Sequence, residues 1–382
     1  MDKFDLHTKI LIGGDALRSM MQGMRRAFIV TDSFMASSGR TAYLTEPMEA
    51  AGVEYRIYSD VGPDPDVDMV TAGVSVILDF QPDAVIAFGG GSPIDAAKAI
   101  VYFAARQADL KDCPFIAIPT TSGTGSEVSK FAVITDRERG IKYPLIDESL
   151  LPDYAVLDAE LTRSVPPRVT ADTGLDVLTH AIEAYVCNEA NSFTDALAEK
   201  AVKLVYENLL TAYREPDNLE ARQNMHNASC MAGAAFSNAG LGLCHSMAHA
   251  LGAQAHIPHG RANAILLPFV MSFNAGCETA LTPTAGRYAA LAALIGLGSS
   301  STRQSAINLI RTVRQMEKHM GVPQTIRDAG VAEEDFERML EPMAEAALAD
   351  RCTAATPKQP KKEDIIRLYE QAYRGTSRVM LR

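Results

Sequence analysis

The first 160 residues alternate short β-rich runs with helical stretches, and this alternation constrains the fold more than any other feature of the chain. Runs of β-branched, aromatic and other apolar residues predict strands at 27–31, 53–58, 84–88, 115–118 and 132–135. Helices are predicted between several of them, at 39–51, 66–80 and 93–106. Strands that alternate with helices are typical of a parallel sheet with helices on both faces.

The pattern changes after Asp158. Pro166-Pro167 marks the end of the strand-like alternation. Long Ala-, Leu- and Glu-rich stretches follow it. Helical stretches are predicted at 168–187, 193–214, 219–253, 279–296, 301–320 and 363–374. Because 382 residues are enough for two domains, we expect an α/β domain over residues 1–160 and an all-helical domain over residues 161–382.

Composition excludes several classes of protein. Apolar residues make up 47% of the chain, far too many for a disordered protein. The net charge of −11 disfavours nucleic acid and anionic membranes as partners, since both attract basic surfaces. The N-terminus does not resemble a secretory signal, and the six cysteines form no CxxC pair, as is usual for free thiols. We therefore expect a soluble cytoplasmic protein.

The run Gly89-Gly90-Gly91-Ser92 links a buried strand to a helix. Glycine lets the backbone approach a ligand closely, and the start of a helix offers unpaired N–H groups to a phosphate. Asp95 and Lys98 lie in the first turns of that helix. The run is not the G-x-G-x-x-G fingerprint, so taken alone it supports a tight turn without a ligand equally well.

A second loop strengthens the case for a nucleotide. Pro119 to Ser126 follows another buried strand and contains Thr120, Thr121 and Thr124 among glycines. Hydroxyl groups at the carboxyl end of a parallel strand suit a polar ligand, although the loop could also be a simple turn. Asp32 ends the first strand, where a carboxylate would bind an adenosine ribose or, with equal support, cap a helix.

Four of the eight histidines, His245, His249, His256 and His259, fall within fifteen residues. His245 and His249 are four residues apart, so both lie on one face of a helix. The pair Asp176 and His180 has the same spacing in another helical stretch. Three imidazoles and one carboxylate suit Fe²⁺ or Zn²⁺, but spacing alone leaves open which three histidines bind.

With these motifs the sequence resembles the iron-dependent, or group III, alcohol dehydrogenases over almost its whole length. The shared residues include the two loops described above, together with Asp172-x-x-x-Asp176-x-x-x-His180-x-x-Glu183, His245-x-x-x-His249, Pro258-His259-Gly260 and Asn263-Ala264. The resemblance implies a dehydroquinate synthase-like architecture. In that architecture an α/β dinucleotide-binding domain precedes an all-α metal-binding domain, and the active site lies in the cleft between them.

The resemblance also implies roles for single residues. It makes Asp176, His180, His245 and His259 the ligands of Fe²⁺, with Zn²⁺ as the alternative, and makes His249 a catalytic residue in proton transfer. The predicted NAD-binding set from the loops and the resemblance is Asp32, Asp64, Gly90, Gly91, Ser92, Asp95, Thr120, Thr121, Thr124 and Lys142. Phe131 departs from the polar residue that some relatives carry, which puts a cofactor contact there in doubt.

The predicted activity is hydride transfer between NAD(H) and a short-chain primary alcohol or aldehyde. The chain is similar to the propanol and ethanol dehydrogenases of propanediol or ethanolamine utilisation. A location in a bacterial microcompartment is therefore also compatible with the sequence. One alternative is a dehydroquinate synthase-like lyase, which needs several basic residues near the metal, where only Arg261 is found. Others are a glycerol dehydrogenase-like oxidoreductase and a non-enzymatic nucleotide-binding protein. A homodimer is the default expectation.

Overall fold

The computed structural model describes residues 3–108, 110, 113–137, 141–377 and 379, without the side chains of Ile141 and Lys142. The chain forms two compact units. One is Asp5–Ser164, and the other contains the described residues of Val165–Arg382 together with Lys3 and Phe4. Within the described ranges, none of the helices has the length and apolar character that a membrane span requires.

The first unit is built on a parallel sheet. Its strands and those of a separate hairpin are β1 (Lys9–Ile12), β2 (Arg26–Asp32), β3 (Glu54–Val61), β4 (Ala84–Gly89), β5 (Phe115–Pro119), β6 (Phe131–Asp136), β7 (Ile141–Ile146) and β8 (Tyr154–Leu157). Six strands form the sheet in the order β1-β8-β5-β4-β2-β3, and every neighbouring pair is parallel. β6 and β7 pair antiparallel with each other.

Helices cover both faces of this sheet. They are α1 (Asp15–Met20), α2 (Ser33–Ser37), α3 (Ala42–Ala50), α4 (Val67–Phe80) and α5 (Gly91–Ala104). Phe28 and Val30 of β2 pack in the core that α4 and α5 cover. Ala27 and Ile29 pack in the opposite core, with residues of α1, α2 and α3. Successive side chains of β2 therefore enter two different cores, which explains why this strand is apolar at every position from Ala27 to Val30.

In the second unit, the regular elements among the described residues are all helices. They are α6 (Pro167–Val186), α7 (Ser192–Arg214), α8 (Leu219–Ala239), α9 (Leu243–Ala255), α10 (His259–Ala275), α11 (Thr284–Leu294), α12 (Thr302–His319), α13 (Glu333–Ala349), α14 (Arg351–Ala354) and α15 (Lys362–Arg374). α6 and α10 are buried along almost their whole length. Helices buried to this extent have almost no face toward solvent, and these two form the centre of the unit.

The structure differs from the sequence-based expectation in several elements. The predicted strand at 132–135 exists, as part of β6, but it belongs to the hairpin. The connection between β6 and β7 is only four residues long, which allows antiparallel pairing but is too short for a parallel crossover. The predicted stretch 219–253 is two helices, because Gly240 ends α8 with a φ of 92° that favours glycine.

Two helix starts also differ. The helix predicted to begin at Pro93 begins at Gly91, so Pro93 occupies its third position, where the missing N–H is still tolerated. His259, in a stretch for which no helix was predicted, is the first residue of α10. Elements that the sequence analysis did not predict are β1, β7, β8, α1, α2, α10, α13 and α14.

The close packing of α6 against α7 gives a test of the helical unit. A Cβ atom at Gly174 of α6 would lie 2.2 Å from Leu209 Cδ1 of α7, whereas a Cβ at Gly286 of α11 would meet no atom within 4 Å. We expect Gly174→Ala to lower the free energy of unfolding by about 1–3 kcal/mol through overpacking. Gly286→Ala should raise it by about 0.5–1 kcal/mol, because alanine favours the helix. Circular dichroism of the metal-free proteins during thermal unfolding measures both, and stabilisation by Gly174→Ala would contradict the packing described.

Candidate metal centre and cofactor loops

Four predicted ligands come together in the helical unit. Asp176 and His180 lie on α6, His245 lies on α9, and His259 begins α10; each offers one atom, and these atoms all lie within 4.8 Å of one another. Asp176 Oδ1 is 3.9 Å from His245 Nε2 and 3.7 Å from His259 Nε2, and Asp176 Oδ2 is 4.0 Å from His180 Nε2. These four residues are called the metal cluster below.

The local sequence explains how three helices approach one point. Asp176 and His180 share a face of α6 because they are four residues apart. α10 can start beside α6 because Gly260 has no side chain. A Cβ atom there would lie 2.3 Å from the carbonyl oxygen of Asp172 and 3.2 Å from Asp176 Cβ. The glycine after His259 therefore sets the distance between the two helices at the metal cluster.

The electrostatics of the cluster keep its members in the form that binds metals. Asp176, His180 and His245 are buried, and the His259 side chain is 43% exposed. Burial alone would raise the pKa of Asp176, but the three imidazoles and the amide of Asn263 hold it below the usual value. Burial and the neighbouring imidazoles lower the pKa of His245 well below its ordinary value. An ionised carboxylate beside a neutral imidazole is the ligand state.

The donor set fits a tetrahedral or slightly expanded divalent site. Ligand atoms about 2.1 Å from a common metal stand about 3.4 Å apart in tetrahedral geometry, close to the separations of 3.7–4.0 Å found here. His245 Nε2 is buried and has no hydrogen-bond partner within the described part of the chain. A buried ring nitrogen without a partner is costly unless a cation binds there.

Glu183 orients His245 and was not given a role from the sequence. Its carboxylate lies 2.7 Å from His245 Nδ1 and accepts hydrogen bonds from the backbone N–H groups of Gly242, Cys244 and His245. Gly242, the N-cap residue just before α9, has no side chain that could cap the helix. Burial raises the pKa of Glu183 to about 7 in spite of these donors. Its position three residues after His180 in α6 was the available indication in the sequence.

His249 lies beside the metal cluster. Its ring stacks on the His259 ring, with 5.3 Å between centroids, and its side chain is 44% exposed. His249 Nδ1 is 2.8 Å from Asp350 Oδ2, a partner 101 residues later that no local pattern identifies. His256, the fourth of the bunched histidines, ends α9 in a left-handed conformation and lies outside the metal cluster.

The predicted cofactor loops contact each other in the α/β unit. We call residues 89–92 the glycine turn and residues 119–126 the threonine loop. The Thr120 N–H donates to the Gly89 carbonyl at 2.9 Å. A Cβ atom at Gly91 would lie 2.7 Å from Thr124 Cγ2, and one at Gly90 would lie 3.4 Å from Thr121 Oγ1. The two loops therefore form one continuous surface at the carboxyl ends of β4 and β5.

Asp32 lies where the strand order of the sheet reverses. β2 has β3 on one side and β4 on the other, so the carboxyl ends of β2 and β4 form the crevice that usually binds ligands in such sheets. Asp32 Oδ2 would be 3.6 Å from a Cβ atom at Gly89. Its other oxygen accepts from the Met35 N–H and caps α2, so the helix-cap interpretation is correct.

The remaining predicted cofactor residues are placed as follows. Asp64 follows β3 in a left-handed conformation, with φ of 55°, which aspartate tolerates better than most residues. Ser92 is the second residue of α5 and is partly buried. Lys142 belongs to β7, but its side chain lies outside the described residues.

Asp95 and Lys98 form hydrogen bonds with the last residue of the threonine loop and with the segment that follows it. Asp95 accepts from Ser126 Oγ at 2.6 Å and from the Val133 N–H at 3.0 Å. Lys98 Nζ donates to Ser126 Oγ and to the carbonyl oxygens of Ser129 and Phe131, at 2.7–3.0 Å. Burial lowers the pKa of Lys98 to about 8. Both oxygens of Asp95 are thus used within the protein, and its contact with a cofactor stays a prediction.

Two family models match most of the chain. The model of the iron-containing alcohol dehydrogenases matches residues 7–159, and that of the C-terminal part of the Fe-containing alcohol dehydrogenase family matches residues 170–373.

Individual relatives match along their whole length. The NADPH-dependent butanol dehydrogenase of Clostridium saccharobutylicum is 41% identical over 98% of this chain and 99% of its own. The 1-propanol dehydrogenase PduQ of Salmonella typhimurium is 44% identical over 97% of this chain and 100% of its own. The structure of an iron-containing alcohol dehydrogenase from Thermococcus thioreducens superposes with a TM-score of 0.89 at 36% identity, covering 98% of this chain and 100% of that one.

The contact between Glu183 and His245 predicts an effect on metal affinity. Glu183→Gln keeps the size of the side chain but removes the charge that fixes the imidazole. We expect the affinity for Fe²⁺ to fall about 10- to 100-fold, measured by competition with a chelator under anaerobic conditions. Glu317→Gln is the matched control, because Glu317 is equally buried but bonds Arg314 and Gln324 of another region. An unchanged affinity in Glu183→Gln would contradict the role given to Glu183.

Proposed function

The chain belongs to the iron-containing alcohol dehydrogenase family, and from that premise we propose that it interconverts a short-chain primary alcohol and its aldehyde with NAD(H) as coenzyme and Fe²⁺ in the metal cluster. Oxidation of alcohols and reduction of aldehydes with a nicotinamide coenzyme is the activity of this family. The observation that supports the proposed metal most strongly is Nε2 of buried His245, which has no partner in the described part of the chain and lies beside one carboxylate and two further imidazoles.

Asp176, His180, His245 and His259 would hold the metal. One carboxylate and three neutral imidazoles leave a divalent ion with a net charge of about +1, so a ligand oxygen that bears negative charge is favoured there. Bound Fe²⁺ supplies Lewis acidity toward the oxygen of the substrate. The same donors accept Zn²⁺, and the family favours iron. Glu183 and Asn263 keep His245 and Asp176 in place through the hydrogen bonds described above.

His249 moves the proton. During oxidation it accepts the hydroxyl proton of the alcohol at Nε2 and passes it to solvent, which its 44% exposed side chain reaches. A bound nicotinamide would supply the acceptor for the hydride of the carbinol carbon, so that one proton and one hydride would leave the alcohol together. In the reverse direction the protonated imidazole returns the proton to the oxygen of the aldehyde. Imidazole suits both directions because the same ring nitrogen can accept a proton and later return it.

The glycine turn and the threonine loop would bind the coenzyme. α5 starts within the glycine turn and has no side-chain cap, so its first N–H groups suit the pyrophosphate. Hydroxyl groups of Thr120, Thr121 and Thr124 are the hydrogen-bonding groups of the neighbouring loop. Asp32 would accept hydrogen bonds from the adenosine ribose and repel a 2′-phosphate. The similar enzyme from Clostridium is named for NADPH, so the choice of NAD rests on Asp32.

The substrate is proposed to be a primary alcohol of three or four carbons. Two of the similar enzymes are named for butanol and 1-propanol. In this chain the ring of Phe236 lies 4.7 Å from the ring of His180 and gives the surroundings of the metal cluster an apolar wall. An unbranched aliphatic chain suits such a wall better than a polyol.

A lyase that binds a phosphorylated and carboxylated substrate is not favoured. Arg261, the basic residue nearest to His259 in the sequence, forms a two-point ion pair with Asp172, at 3.2 and 2.5 Å, and is largely buried. Its guanidinium is therefore already paired and would have to leave Asp172 to bind an anionic substrate. The full-length relatives are named as alcohol dehydrogenases.

We further propose a homodimer in the cytoplasm. Ile10 and Ile12 are exposed on β1, which lies at the edge of the parallel sheet. Exposed apolar side chains on an edge strand favour association, and symmetric dimers are the commonest oligomers.

Substitutions in the metal cluster separate metal binding from proton transfer. Asp176→Ala and His259→Ala should lose both bound metal and turnover. His249→Ala should keep the metal and lose rate by about 100-fold or more, because a positioned acid or base contributes that much. Metal analysis and NADH oxidation on one preparation measure both effects. The assay compares C2–C4 aldehydes, lactaldehyde, 3-hydroxypropionaldehyde and dihydroxyacetone; full metal content and activity in His259→Ala would show that the proposed ligand set is wrong.

Asp32→Asn tests the coenzyme. Asparagine can still cap α2, so the fold should be unaffected, whereas the repulsion of a 2′-phosphate disappears. We expect kcat/KM with NADPH to rise about 10-fold or more relative to NADH, since the repulsion of two unit charges about 4 Å apart costs about 1–4 kcal/mol. A wild-type enzyme that already prefers NADPH would refute the role of Asp32.

A further inference from the structure

The carboxylate of Asp350 connects the ends of two helices to His249. Asp350 ends α13 and caps α14, where its Oδ1 accepts from the Cys352 N–H at 2.8 Å. The same oxygen lies 3.2 Å from Ser246 Oγ of α9, which donates to it. Oδ2 is 2.8 Å from His249 Nδ1. Three donors from two regions of the chain therefore fix this one carboxylate.

The carboxylate is ionised and acts only as an acceptor. Burial alone would raise the pKa of Asp350, but the hydrogen bond and charge of His249 and the N–H of Cys352 lower it to about 2. An ionised carboxylate cannot donate, so the proton of this contact belongs to His249 Nδ1. The neutral imidazole is thereby held in one tautomer, with its lone pair on Nε2.

The surroundings also fix the direction of the ring. The His249 imidazole lies against the His259 ring, with an angle of 18° between their planes, and Asp350 holds its Nδ1 edge. An exposed imidazole without such a contact would populate several rotamers, and ordering it costs conformational entropy. Asp350 is itself held in place by the hydrogen bond from the Cys352 N–H. The connection between α13 and α14, in which Asp350 lies, is also fixed by the Thr353 hydroxyl, which donates to the Ala347 carbonyl.

We propose that Asp350 is a positioning residue of the dehydrogenase reaction, which fixes the tautomer and orientation of His249 so that Nε2 faces the reacting oxygen. This inference rests on the proposed function, in which His249 accepts the hydroxyl proton. The proton of the alcohol goes to Nε2, and the proton on Nδ1 stays on the imidazole. The negative charge of Asp350 stabilises the imidazolium that forms, and Asp350 itself takes no proton, as in other acid–histidine pairs.

A second metal ion would be another explanation of this group. His249, Asp350 and Cys352 offer nitrogen, oxygen and sulfur atoms within 4.8 Å of one another. Both oxygens of Asp350 already accept hydrogen bonds, however, and burial together with the charge of Asp350 raises the pKa of the Cys352 thiol far above its usual value. The thiol is protonated and the carboxylate satisfied, so hydrogen bonds alone account for the arrangement.

The test is a double-mutant cycle with Asp350→Asn and His249→Ala in the iron-loaded enzyme. Asparagine can still cap α14, but its amide no longer supplies the charge or enforces one tautomer. We expect kcat to fall about 10- to 1000-fold in Asp350→Asn while KM stays within about threefold. In the His249→Ala background the same change should lower kcat by less than about threefold, because Asp350 acts through His249.

Two further variants guard against an effect on folding. Asp350→Ser can cap α14 but is too short to reach His249, and it should lose as much rate as Asp350→Asn. Cys352→Ser keeps the backbone N–H at that position and should retain near wild-type kcat. The metal content should be one ion per chain in all of these proteins, with unchanged circular dichroism.

Several results would overturn the inference. Equal losses from Asp350→Asn with and without His249 would show that Asp350 acts independently of it. An unchanged kcat in Asp350→Asn would show that the contact between Asp350 and His249 has no role in the reaction. A second metal equivalent that disappears in Cys352→Ser would establish a metal site formed by His249, Asp350 and Cys352. Failure of the proposed function looks different: the wild-type enzyme would oxidise no NADH with any aldehyde, or His249→Ala would keep full activity.

Discussion

Two buried carboxylates on one helix organise the helical unit. Asp176 and Glu183 both lie on α6, and a charge in an apolar interior is tolerated only where other groups compensate it. The starts of two other helices provide this compensation. The first N–H groups of α9 point at Glu183, and α10 starts against Asp176 with His259 and Gly260. Because the start of a helix is its positive end, the two carboxylates and the two helices stabilise each other.

The same arrangement prepares a site for a cation. Once α9 and α10 are drawn toward α6, the imidazoles of His245 and His259 lie near Asp176 with His180 beside them. Glu183 lies at hydrogen-bond distance from Nδ1 of His245, and the other ring nitrogen has no partner among the described residues. Asp350 makes the corresponding contact with His249, because its Oδ2 lies 2.8 Å from His249 Nδ1. Each of these two histidines thus has one nitrogen held by a carboxylate and the other available for chemistry.

The fold could be predicted well where the pattern is local. β2 and β4 are continuous apolar runs, and the parallel sheet and the helical unit follow from them and from the long helical stretches. β6 could not be placed, because a short apolar run does not specify its partner; the four-residue connection to β7 decides it. α10 was missed because it is buried on nearly all sides, so its sequence lacks the apolar stripe and polar face of an amphipathic helix. The role of Asp350 was missed because 101 residues separate it from His249.

The sequence by itself determined the two kinds of domain, the glycine turn, and the two pairs of potential ligands at helical spacing. A spacing of four residues places two side chains on one helix face whatever surrounds the helix. It left open which histidines meet. Only the tertiary structure decided that His245 and His259 join Asp176 and His180, while His256 ends a helix and lies outside the cluster. The reason is that the distance between helices depends on contacts such as that of Gly260 with Asp172, which join residues far apart in the chain.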